Sequence, residues 1–239
     1  MKRNQITFLY FAVAAVFITL ENLDFPIPSF FAKALIIPSL MLLFHNETRG
    51  KYNLFSRLIL TGLFFSWLGD VLLQIPDLNA YIQLSPDLLF IGGLGAFLIT
   101  HLFYFVAFIL PKGKNSIFSS RVHMLVVVVL YGAVMIYFLY DNLGEMKVPV
   151  FAYTLVIVLM LLAAMNRQGK VSINSYNLVA LGASLFIVSD SLIAVGKFHG
   201  NFPYGNIIIM ITYVAAQYLI VTGSLEQEEV TQISGNKII

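Results

Sequence analysis

Cysteine is absent from this chain of 239 residues, and charge is scarce, with only 11% of residues Asp, Glu, Lys or Arg. The first absence excludes disulfides, thiolate nucleophiles and cysteine-ligated metals, and leaves the redox compartment open. The second excludes an ordinary soluble surface, since soluble domains carry roughly a quarter of their residues as charges. Long polar stretches are missing as well, so no connection has room for a soluble insert with its own core. What is there is apolar: 59% of residues are hydrophobic and the mean hydropathy is +0.86. The chain reads as an all-α polytopic membrane protein.

A span needs roughly 17–25 mainly apolar residues, and eight segments qualify: 5–23, 29–45, 54–75, 88–110, 121–140, 147–165, 176–196 and 205–224. Breakers stand between them, namely Pro26 and Pro28, Pro76, Pro86, Pro111 with Gly113, Gly144, and Pro203 with Gly205. The expected organisation is a single eight-helix domain over 1–225 and a short polar cytoplasmic tail over 226–239. The opening "MKRNQITFLYFAVAAVFITL" has the basic end and apolar run of a signal peptide, but no convincing small-x-small cleavage site precedes Glu21, so a retained first helix is expected.

Eight spans put both ends of the chain on one side, and loop charges can be summed over the two faces. Lys2, Arg3, Arg49, Lys51, Arg57, Lys112, Lys114, Arg121, Arg167, Lys170 and Lys237 fall on the side of the termini, whereas only Lys147 and Lys197 fall on the other. Eleven against two predicts cytoplasmic termini, in a bacterial inner membrane. This asymmetry accounts for the basic residues without nucleic acid as a partner; the net charge is only +2.

Two carboxylates interrupt the apolar runs, Asp70 in "FSWLGDVLLQ" and Asp190 in "LFIVSDSLIAV". Gly62 and Gly182 each precede their aspartate by eight residues, and Leu72 matches Leu192, all at an offset of 120, a pattern that suggests a parallel four-plus-four pseudo-repeat. Counting from the span ends puts Lys33, Asp70 and Asp190 about 7–10 Å below the same surface, in one layer. Ionisable residues at such depth normally face a bundle interior or a cavity and pair with one another. Ser66, Asp70 and Gln74 recur at i, i+4 and i+8 as a polar stripe, and Ser189 and Ser191 flank Asp190. His101 and Tyr104 share a face of the fourth span, deeper than the carboxylates, with Gly92, Gly93 and Gly95 expected to let helices approach closely. Tyr213 and Gln217, at i and i+4 of the last span, are placed to line the same cavity from below. Each has a structural reading too: a salt bridge of Lys33 with an aspartate, a snorkelling Lys33, and hydroxyls and amides that join helices.

"KALIIPSLMLLF" from Lys33, "FSWLGDVLL" around Asp70, "GGLGAFLITHLFYFVAF" around His101 and "GASLFIVSDSLIA" around Asp190 together resemble the YhhN-like family of eight-span membrane proteins, the lysoplasmalogenases. The resemblance runs from about residue 29 to 222 in the right order. It departs at the lysine, where the family usually has Lys-Pro-Leu and this chain has Lys33, Ala34 and Leu35. It implies hydrolysis of the vinyl ether of lysoplasmalogens to a fatty aldehyde and glycerophosphoethanolamine or glycerophosphocholine, with a lysophospholipid, water and membrane lipids as partners. That chemistry suits two carboxyls, one donating a proton and the other activating water, as in glycoside hydrolysis, and it needs no metal or cofactor. Asp70 and Asp190 are the expected catalytic pair, with Asp190 favoured as the acid because its flanking serines and apolar surroundings offer no cation in its own helix. Lys33, Ser66, His101, Tyr104, Ser189, Tyr213 and Gln217 are the expected substrate-binding residues. Other classes fit less well. The Tyr-Asp and Gly-x-Gly-Asp patterns of a two-aspartate intramembrane protease are missing, and a zinc lipid amidase needs several deep histidines where only His101 is deep. A proton-coupled transporter or exporter using the same Asp and Lys groups is the non-enzymatic alternative.

Overall fold

The computed structural model describes residues 2–75, 85–113 and 116–236. Pro76, Lys114 and Lys237 lie outside them. The described residues form nine α-helices and no strand: α1 (Arg3–Asn22), α2 (Pro26–Thr48), α3 (Leu54–Gln74), α4 (Pro86–Ile109), the single turn α5 (Ile117–Ser120), α6 (Val122–Leu139), α7 (Lys147–Met165), α8 (Ile173–His199) and α9 (Gly205–Asn236). Eight of them are long and apolar enough to cross a bilayer, each overlapping one of the expected spans. The chain is a multi-pass membrane protein.

Local chemistry sets the helix ends. Asn53 caps α3 by accepting from the Ser56 N–H at 2.9 Å, and Ser172 caps α8 by accepting from the Ser175 N–H at 3.1 Å. Pro26 and Pro28 do not stand in a connection as expected but open α2, and Pro86 likewise opens α4. A first-turn residue has no intrahelical acceptor for its N–H, so proline loses nothing there and brings a preset φ. Arg49 and Gly50 end α2 with φ of 52° and 69°. At the other end of the chain α9 continues past its apolar part to Asn236.

A third proline lies inside a span. Pro38 has no N–H to offer the carbonyl four residues back, that of Ala34. The Trp67 indole of α3 supplies the missing donor, with Nε1 2.9 Å from the Ala34 oxygen. One interhelical hydrogen bond thus repairs the interior of α2 and ties it to α3.

By its contacts the chain divides into two compact units, Met1–Phe103 and Tyr104–Ile239. In the first, Tyr10, Ala14 and Phe17 of α1 are buried, as are Ile36, Ile37, Leu40 and Leu43 of α2, and α1 packs on α2 and α2 on α3. Gly69 lets α4 approach, since a Cβ there would lie 2.7 Å from the Phe97 ring. Gly93 does the same against Leu73, but Gly95 faces open space and makes no close approach of the kind its sequence context suggests. In the second unit α9 packs along α8, with α6 and α7 also against α8. A Cβ on Gly182 would lie 2.8 Å from the Ala216 carbonyl oxygen, so the α8 and α9 backbones touch. Phe8, Phe31, Leu35, Val127 and Leu155 are exposed, as large apolar groups facing lipid would be.

Candidate active site

The candidate residues fall into two sets, one in each unit. In the first, the polar stripe of α3 turns inward: Ser66, Asp70 and Gln74 are all buried, Asp70 at 3% exposure. Gln74 is held from α1, its Nε2 donating to Glu21 Oε2 at 3.1 Å. One turn before Asp70, Trp67 makes the bond to α2 described above. Lys33 is half-buried on α2, and its ammonium stands 5.4 Å from the centroid of the Phe17 ring, a cation–π arrangement. His101 is fully buried on α4, next to Thr100, whose hydroxyl donates to the Gly62 carbonyl of α3 at 3.1 Å. The glycine that precedes Asp70 by eight residues is therefore a point where α4 is fastened to α3.

In the second unit, Tyr104 and Gln217 meet. Both are fully buried, and the Tyr104 hydroxyl donates to Gln217 Oε1 at 2.8 Å, joining α4 to α9. Tyr213, one turn earlier on α9, packs edge-on to Phe186 of α8 at 5.6 Å between centroids. Ser189 is buried with its hydroxyl committed to the Ile209 carbonyl at 3.1 Å. Asp190 is half-buried, and its Oδ2 accepts a hydrogen bond from the Tyr153 hydroxyl of α7. Ser191 donates to the Ile187 carbonyl at 2.7 Å and accepts from the Tyr131 hydroxyl of α6 at 2.8 Å.

Tyr153 and Tyr131 are absent from the sequence-based site, and so is Glu21. A tyrosine in mid-span needs an acceptor for its hydroxyl, which is a usable signal, but the chain has twelve tyrosines and residue type alone does not select among them. In the first unit the buried Asp70 lies on a helix tied to α1, α2 and α4, and in the second Asp190 is held by a hydroxyl from α7. Among the described residues, no three His, Asp or Glu side chains gather as metal ligands would.

Residues 29–224 match the YhhN family. Among individual relatives, the chain is 34% identical to "Lysoplasmalogenase TMEM86A" of Bos taurus over 72% of its own length and 66% of the relative's. It is 29% identical to "Lysoplasmalogenase" of Mycobacterium tuberculosis (strain CDC 1551 / Oshkosh) over 73% of its length and 62% of the relative's. With "Lysoplasmalogenase TMEM86B" of Homo sapiens it shares 29% identity over 57% of its length and 54% of the relative's. The matched segment thus spans just under two thirds of these relatives, or less. No solved structure gives a significant match. Because the family match covers most of the chain and includes Lys33, Asp70, His101 and Asp190, the protein belongs to the YhhN family.

Proposed function

We propose that this chain is a lysoplasmalogenase, a hydrolase that splits the vinyl ether of a lysoplasmalogen into a fatty aldehyde and glycerophosphoethanolamine or glycerophosphocholine. The observation that carries the reading is the family match, which takes in Lys33, Asp70, His101 and Asp190, together with relatives named lysoplasmalogenase. The membrane fold fits a single-chain lipid, which reaches the protein from within the bilayer.

The reaction is acid-driven. A proton added to the vinyl carbon distal to oxygen leaves an oxocarbenium ion. Water then attacks its carbon and loses a proton, giving a hemiacetal that collapses to the aldehyde and the free glycerol hydroxyl. One carboxyl of the pair Asp70 and Asp190 donates the first proton, and the other, ionised, steadies the cation and takes the proton from water. At neutral pH these roles require one carboxyl protonated and one charged. Lys33 holds the lipid phosphate, and Ser66, His101, Tyr104, Ser189, Tyr213 and Gln217 line the substrate's path. Both termini lie in the cytoplasm of a bacterium whose inner membrane holds the chain.

Purified protein incubated separately with a lysoplasmalogen, an ester lysophospholipid and a saturated ether lysolipid should release aldehyde from the first alone. Fatty acid from the ester at a comparable rate would overturn the mechanism. Absence of aldehyde together with substrate-driven proton uptake into vesicles would overturn the enzymatic reading in favour of transport.

A further inference from the structure

We propose that Tyr153 is a positioning residue for vinyl ether hydrolysis: its hydroxyl holds Asp190 as the charged member of the catalytic pair, which leaves proton donation to Asp70. The inference rests on the lysoplasmalogenase reading and reverses the assignment that sequence alone favours.

Three successive side chains of α8 are each tied to a different helix. Ser189 donates to the Ile209 carbonyl of α9, Asp190 accepts from Tyr153 of α7, and Ser191 accepts from Tyr131 of α6. Together these bonds fix the rotation of α8 at one turn, so the Asp190 carboxyl has a set direction before any substrate arrives. The sequence argument for Asp190 as the acid is the lack of a cation in its own span, 176–196, but α8 runs on to His199 and so includes Lys197. The deciding group is instead on α7 and is a donor, not a cation. A hydroxyl directed at a carboxyl oxygen makes its stronger, charge-assisted bond when that carboxyl is ionised. Asp190 so held is suited to steady the oxocarbenium ion and to take the proton from water, and the phenol keeps its own proton throughout. The mechanism needs one acid besides, and Asp70 is the remaining carboxyl of the pair. Among the described residues, the helices packed against α8 bring Tyr153, Tyr131 at Ser191, and Tyr213 edge-on to Phe186 near this turn. Lys197 lies two turns further along α8.

The test is Tyr153→Phe in the full-length protein, assayed for aldehyde from lysoplasmalogen across pH. The expected result is a fall in kcat of about tenfold to a hundredfold with KM within about twofold, the range for lost support of a general base. The acidic limb of the kcat profile should move to higher pH and the alkaline limb should stay. Tyr131→Phe, which touches Ser191 only, should move neither limb whatever its rate. If Tyr153→Phe does not fold, 3,5-difluorotyrosine at position 153, a stronger donor of nearly the same shape, should move the acidic limb to lower pH. Unchanged limbs in either Tyr153 variant would reduce Tyr153 to a packing residue, and movement of the alkaline limb would restore Asp190 as the acid. Should the wild-type protein release no aldehyde, the lysoplasmalogenase reading itself fails. An active wild type that Tyr153→Phe matches in rate and profile overturns only the role of Tyr153.

Discussion

Asp70 and Asp190 sit in comparable apolar runs, yet their surroundings differ: Asp70 is buried on a stripe with Ser66 and Gln74, while Asp190 is half-buried against the Tyr153 hydroxyl. If both do chemistry, Asp70→Asn and Asp190→Asn should each fold and lose at least about a hundredfold in turnover. The double variant should lose little more than either single one, because groups that act in one step are strongly non-additive. Additive losses would separate the two carboxyls in mechanism. Lys33→Met should raise KM and leave kcat if the ammonium holds the lipid phosphate; unchanged KM would confine Lys33 to its place over Phe17. A further residue carries structure and not chemistry. Arg167, between α7 and α8, is fully buried, and Nη2 donates to Ser175 Oγ at 2.8 Å and to Gln227 Oε1 at 2.7 Å. Burial pushes its pKa down to about 9, so it stays charged at neutral pH, with Nε and Nη1 unbonded among the described residues. Lysine has no planar fork to replace these bonds, and Arg167→Lys should cost about 1.5–3 kcal/mol, read as a lower melting temperature in detergent. Sequence reading counted Arg167 only as a loop charge, because nothing local shows that a loop arginine folds back under two helices.

At the level of helices, existence and order were legible because a bilayer dictates span length, while contacts were not. Whether a glycine is a point of close approach depends on what faces it. Gly93 and Gly95 look alike in sequence, yet one meets Leu73 and the other open space. Gly182→Ala should therefore lower stability by forcing α8 and α9 apart, and Gly95→Ala should be neutral or slightly stabilising, given alanine's better helix propensity. Equal melting shifts for the two would contradict the packing. Pro38 gives a sharper case, since the proline is plain in the sequence and its remedy in another helix is not. Trp67→Phe leaves the Ala34 carbonyl without its donor and should cost about 1–3 kcal/mol. In a Pro38→Ala background the residue at 38 regains an N–H for that same carbonyl, so the cost of Trp67→Phe should shrink towards zero. A cost that is the same in both backgrounds would mean that the indole acts by packing alone.

Across the whole chain, two features read from sequence bear on how it sits in the membrane. The offset of 120 between the aspartate motifs has a counterpart in contacts: Gly62 meets Thr100 in the first unit, and Gly182 meets Ile220, 120 residues beyond Thr100, in the second. The two contacts differ in kind, a hydrogen bond to a carbonyl in one and close packing in the other, and the four-plus-four pseudo-repeat is a proposal from the sequence spacing alone. Orientation, with both termini cytoplasmic, is a proposal from charge. With eight spans, eleven basic residues belong to the side of the termini and two to the other. Membrane insertion counts such charges in short loops as the chain is made, so a residue later buried, as Arg167 is, still contributes. Because the chain has no cysteine, a single introduced thiol is an unambiguous reporter. Lys114→Cys, in the connection between the fourth and fifth spans, and Asn201→Cys, between the seventh and eighth, should label from opposite sides of intact cells. Asn201→Cys should react with an impermeant maleimide at once, and Lys114→Cys only after the membrane is opened. Reaction of both from outside, or of neither, would break the eight-span topology, whereas the reverse order would keep the spans and invert the chain, moving Lys33, Asp70 and Asp190 towards the cytoplasmic leaflet.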